Sequence, residues 1–171
     1  MVLKYKNGEN VSDSVGLLIS MLVRYPEIGT INFDPETNNL KITFMMLKLI
    51  PEPVLEKFRA NLLSCLETFH YLALQKAKTL DVKYSFCEDI TLLEYKRDIS
   101  SLTSEEISLT IALVRESFAE YLLTDKETEI EEDQMFQEEQ IGKMLENVRY
   151  TVPDKKLIAF REEGRVLIFN K

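Results

Sequence analysis

His70 is the only histidine of the chain, and a single imidazole sets the range of chemistry the sequence can offer. A two-histidine metal site within one chain is impossible, and any serine or cysteine triad would have to use this residue. Glu67 stands three residues earlier, a spacing that places both side chains on one face of a helix. The pair could therefore work as acid and base, with the carboxylate orienting the ring. Against this, no nucleophile, oxyanion donor or metal ligand can be placed beside it. The plainer reading is an amphipathic histidine with its ring on apolar neighbours and its tip on a backbone or water partner. Glu67 and His70 are the candidate catalytic residues; no cofactor or metal is expected.

The other chemistry-bearing residues are poorer candidates. Cys65 and Cys87 lack metal-ligand spacing, and their mostly apolar surroundings ("LLSCLETF" and "KYSFCEDI") read as free, inert, buried thiols in a reducing compartment. Glu129, Glu131, Glu132 and Asp133 could collect a hard cation, but without the calcium-loop frame only adventitious binding is expected. The nucleotide-binding glycine motifs, the serine-hydrolase elbow and the zinc-protease helix are all missing, and five glycines leave little for a phosphate-cradling loop.

Charge narrows the partners. The net charge is −8, but residues 125–140, "DKETEIEEDQMFQEEQ", hold eight acids and one lysine, so this stretch carries −7 and the remainder only −1. It reads as a solvated acidic connector, with a lure for a basic protein partner as the functional alternative. With no concentrated basic stripe elsewhere, nucleic-acid binding is not expected. Membrane association is not expected either. The apolar run "SVGLLISMLV" at 14–23 is too short to span a bilayer, and Glu9, Asp13 and Arg24 do not suit an export signal. The expected location is cytoplasmic.

The elements that must position these residues follow from periodicity. Val15, Leu18, Ile19 and Leu22 predict a helix over 12–25, stopped by Pro26. A hairpin follows, with Ile31 and Phe33 on one strand and Leu40, Ile42 and Phe44 on the other. Pro51 and Pro53 open the longest helix, 53–78. It carries one apolar stripe through Leu55, Phe58, Leu62, Leu66, Phe69 and Ala73. A second runs through Leu63, Leu66, His70, Leu74 and Ala77, which predicts shelter on two sides and hence a dimer. Alternation predicts strands at 82–86 and 90–99, and Thr103 with Glu106 predicts a capping box at the head of the next helix. Ile141, Met144, Leu145 and Val148 mark a further helix. The closing hairpin, "LIAF" and "VLIFN" about Gly164, is apolar on consecutive residues, which predicts a place in the middle of the sheet or under another element.

"VRYPEIGTINFD" at 23–34 is echoed by "VRYTVPDKKLIAF" at 148–160. The match fades within one helical turn on either side, so we read two similar helix-to-strand corners, not a duplication. The order of the first five elements is similar to that of profilin-like and roadblock-type dimerisation domains, an analogy of fold that does not fix function.

The expected architecture is a single α+β domain over 1–171, an antiparallel sheet built from hairpins with helices mainly on one face, in the order α-ββ-α-ββ-α-α-ββ. The expected function is a non-catalytic protein-interaction or regulatory module, homodimeric, using the 53–78 helix and the acidic connector as contact surfaces. The alternative is a small-molecule-binding protein or enzyme with a pocket near Glu67 and His70.

Overall fold

Among the described residues every strand is followed or preceded by a hairpin partner, and six of them form one sheet. A computed structural model describes residues 13–124, 131–150, 155–162 and 165–170, with the side chains of 131–136 set aside. The elements are α1 (Asp13–Arg24), β1 (Thr30–Asp34), β2 (Asn39–Met46), α2 (Glu52–Leu72), β3 (Leu80–Cys87), β4 (Ile90–Asp98), α3 (Ser104–Phe118), α4 (Glu131–Tyr150), β5 (Leu157–Glu162) and β6 (Arg165–Asn170). The class is α+β, in the order expected from sequence. The sheet runs β3-β4-β2-β1-β5-β6, all pairs antiparallel.

Strand period decides which residues meet the helices. Register puts Val82, Tyr95, Ile42, Ile31 and Ala159 in one row across the sheet, and all five are buried. Their neighbours along each strand point to the opposite face, where Lys41, Glu94 and Lys96 are only half-buried. Gly29 leads into β1 where a Cβ would stand 3.2 Å from both the Met45 side chain and the Thr43 carbonyl, a tight fit that a side chain could take only if these neighbours gave by a few tenths of an ångström.

The long helix differs from the expectation in a way that bears on function. α2 stops at Leu72, six residues early. The amides of Lys78 and Thr79, instead of continuing a helical ladder, donate to Asp98 Oδ1 at 3.1 and 3.0 Å. The two expected stripes collapse into one: Leu66 and His70 of the second lie in the same buried row as Leu55, Phe58 and Leu62, while Leu74 falls beyond the helix and is exposed. The outward face, with Glu56, Lys57, Asn61, Ser64 and Glu67, is polar and exposed. α2 therefore needs one shelter, and its shaft gives no reason for a dimer.

Other details also depart from expectation. α4 begins at Glu131, so the second part of the acidic stretch is helical; residues 125–130 lie outside the described residues. The terminal hairpin is at the rim and not in the middle of the sheet, with β5 paired to β1 and β6 outermost, but it does lie under another element, since α1 packs on both strands. Its consecutive apolar residues divide between α1's side and the open face. The turn residue Gly164 lies outside the described residues. Both cysteines are free but exposed, because Cys65 sits on the outward face of α2 and Cys87 ends the edge strand β3. The echoed corners are not equivalent, since Tyr25 is buried and Tyr150 is exposed, while Arg24 meets Glu138 and Arg149 donates to the Ile99 and Leu102 carbonyls.

Candidate functional site

Three elements converge on His70. It ends the buried face of α2; β4 directs Tyr95 and Arg97 to the same face; α3 begins beside them. Thr103 caps α3 by accepting from the Glu106 amide at 3.2 Å, which is half of the expected capping box. The other half is missing because the Glu106 side chain turns inward, where it is fully buried and serves as the hub of a polar cluster.

Glu106 Oε1 accepts from His70 Nε2 at 2.5 Å and from Arg97 Nη2 at 2.8 Å. Oε2 accepts from Arg97 Nε at 2.7 Å and from the Tyr95 hydroxyl. Arg97 is thus held in a two-pronged pair, the geometry in which a guanidinium and a carboxylate bind most strongly. Its remaining nitrogen, Nη1, donates to Asp98 Oδ1 at 2.5 Å, to Ser101 Oγ at 3.0 Å and to the Thr79 carbonyl at 3.1 Å. Asp98 also accepts from Ser100 Oγ and from the Ser101 amide and hydroxyl.

The electrostatics follow from this wiring. Burial by itself would raise the Asp98 carboxyl, but the bonds from Ser100, Thr79 and Ser101 and the Arg97 charge outweigh it and hold the group well below its ordinary range. Glu106 behaves alike: burial opposes its charge, and the donors Arg97, Tyr95 and His70 together with the Arg97 charge override it, so its pKa is lowered. The first turn of α3, whose amide dipoles favour an anion, acts in the same sense. Tyr95 is pushed up, first by burial and then by the adjacent Glu106 carboxylate.

The cluster is closed to water: His70 is buried, and Arg97 and Glu106 are fully so. Both Glu106 oxygens are engaged, and His70 Nε2 lies 2.5 Å from one of them and 3.4 Å from Arg97 Nη2. Glu67, the expected partner, points to the outside of α2 and is exposed; the buried ring takes Glu106 instead, 36 residues on. Among the described residues no group of three or more metal-ligating side chains comes together. Glu129 and the side chains of Glu131, Glu132 and Asp133 lie outside them. What the cluster does is tie α2, β4 and α3 at one point. A second polar group, in which Arg24 donates to Glu138 at 2.6 Å and Ser108 bonds both Glu138 and Tyr25, joins α1, α3 and α4.

Immediately outside the closed cluster the surface changes character. Tyr71, Leu72 and Leu74 are 79%, 75% and 94% exposed, and Ala73 between them is exposed too. The helix ends here in a left-handed turn: Leu74 has φ 55°, and the Gln75 amide returns to the His70 carbonyl at 2.9 Å. Glycine normally fills such a position, because a Cβ there costs about 1–2 kcal/mol. Exposed lysines follow at 76 and 78.

Sequence reasoning missed Glu106, Arg97 and Asp98 as a unit. One signal was available: Leu93, Tyr95 and Arg97 alternate on the buried face of a strand, and an inward arginine demands a carboxylate. Comparison of the chain with family models, with curated proteins and with solved structures found no match in any of the three. Among the described residues no helix is long and apolar enough to cross a membrane.

Proposed function

We propose that the protein is a non-catalytic interaction module of the cytoplasm that docks a partner through the end of α2. Tyr71, Leu72 and Leu74 form the apolar contact, and Lys76 and Lys78 form a basic border. The partner this fits is a protein offering an apolar pocket with acidic surroundings. One observation carries the reading: four consecutive non-polar residues stand in water, one of them a leucine in a glycine conformation. Exposed apolar runs and strained backbone are both features that folding alone disfavours. In the acidic stretch 125–140, Glu138 is engaged by Arg24 while Glu139 is exposed. The alternative of a catalytic or small-molecule pocket at Glu67 and His70 has less support, since Glu67 is exposed while His70 is buried against Glu106.

The test is affinity capture from lysate of the source cells with three baits: the native chain, the Leu72→Ser/Leu74→Gly variant and the Lys76→Glu/Lys78→Glu variant. The reading expects a protein retained by the first and reduced at least tenfold by each of the others, with urea midpoints of the variants no lower than native. The same captured set from all three baits would refute it.

A further inference from the structure

A second surface, remote in sequence from the α2 tip, points to self-association. β6 is the outermost strand and pairs only with β5 among the described strands. An edge strand normally protects itself with charges, proline or a bulge. The opposite edge, β3, does this with Asp81 and Lys83. β6 reads Arg-Val-Leu-Ile-Phe-Asn, with no charge after Arg165 and no proline. Val166 and Ile168 pack partly buried against the core. Leu167 and Phe169 face the open side; Phe169 is 53% exposed and stacks on Phe160 with ring centroids 5.6 Å apart.

We propose that β6 pairs with β6 of a second copy of this chain about a two-fold axis at Leu167, continuing one antiparallel sheet through both copies. The sequence of the strand is complementary to its own reverse. With Leu167 opposite itself, Val166 meets Ile168 of the second copy, and Arg165 meets Phe169, a cation over a ring. The two Arg165 side chains then lie four residues apart along the pair, roughly 13 Å, beyond the screening length of about 8 Å at physiological salt. No like charges face each other, and a strand from an unrelated protein would have no such match built in. A five-residue pairing falls short of the roughly 800 Å² per partner of a tight complex, so the association should be reversible and visible in the micromolar range.

Sedimentation of the native chain from about 1 to 200 µM tests this, and the expected result is a concentration-dependent monomer–dimer equilibrium. Leu167→Lys, which places two ammonium groups at the axis, should weaken association at least tenfold. Should that variant misfold by circular dichroism, Leu167→Cys in a Cys65→Ser/Cys87→Ser background decides, because residues opposite across an antiparallel pair lie within disulfide reach; it should form a covalent dimer on mild oxidation. A monomer throughout the range, a dimer indifferent to Leu167→Lys, or a Leu167→Cys chain that stays uncrosslinked would overturn the proposal, and a monomer that pairs only with an added foreign strand would do the same.

Discussion

Replacing Glu106 by glutamine keeps the shape of the side chain and removes its charge. In the native cluster both oxygens accept, from His70, from two Arg97 nitrogens and from Tyr95. The amide nitrogen of a glutamine can only donate, so at whichever oxygen position it takes, it faces donors. Arg97, fully buried, keeps only Asp98 as a counter-charge. Breaking a buried ion pair from one side costs about 3–5 kcal/mol, because the other charge stays desolvated. That is a large share of the 5–15 kcal/mol typical of a whole domain. With a urea dependence of about 2 kcal/mol per molar, the midpoint should fall by roughly 1.5–2.5 M. Urea denaturation followed by circular dichroism reads this directly, and Glu67→Gln, on the exposed side of α2, is the internal comparison with an expected change within about 0.5 kcal/mol. A Glu106→Gln loss below about 1 kcal/mol would mean that water reaches the cluster, and the description of it as closed would fail.

Further outcomes follow from other details. Leu74→Gly relieves the left-handed turn at an exposed position, and after the extra freedom of an unfolded glycine it should raise stability by about 0.5–1 kcal/mol, measured as a higher urea midpoint. Glu106 and Asp98 are held below their ordinary values, so their contribution is complete above about pH 4–5 and disappears as pH falls through their native pKa values. Tyr95 is raised, so its contribution is present below about pH 10 and is lost as pH climbs beyond it. Urea midpoints from pH 3 to 11 should show a plateau falling at both ends, with Asp98→Asn flattening the acid limb. Thr103→Ala removes the α3 cap and should cost about 1 kcal/mol. Cys65 and Cys87, both exposed, should react with a thiol reagent in the native protein as fast as in urea.

The parts of the fold that were legible in the sequence are those that local periodicity controls. Alternation at Ile31, Phe33, Leu40 and Ile42 identified the first hairpin, and the Val15–Leu22 spacing identified α1, because which side of an element is buried is written in its own residues. What local pattern cannot contain is the partner. The period of the 53–78 stretch continues past Leu72, but the chain leaves the helix in the left-handed turn at Leu74, and Asp98 then takes the amides of Lys78 and Thr79. Glu106 fits a capping box in sequence and turns away because Arg97 and His70 outbid the local donor. The terminal hairpin reads as central or covered by another element; α1 does cover one face of it, but two apolar faces cannot say that the hairpin sits at the rim. Helical spacing pairs His70 with Glu67, whereas the buried ring meets Glu106 and Glu67 is left exposed.

The account rests on His70 being sealed into a structural cluster while the contact surface lies outside it. Because the chain has one histidine, carbethoxylation by diethyl pyrocarbonate gives a single imidazole signal that can be followed by absorbance near 240 nm and localised by mass. At neutral pH the native protein should leave His70 unmodified over a time in which the urea-unfolded chain reacts completely. Modification of the native protein at the unfolded rate would contradict the account and make the region around His70 an open site.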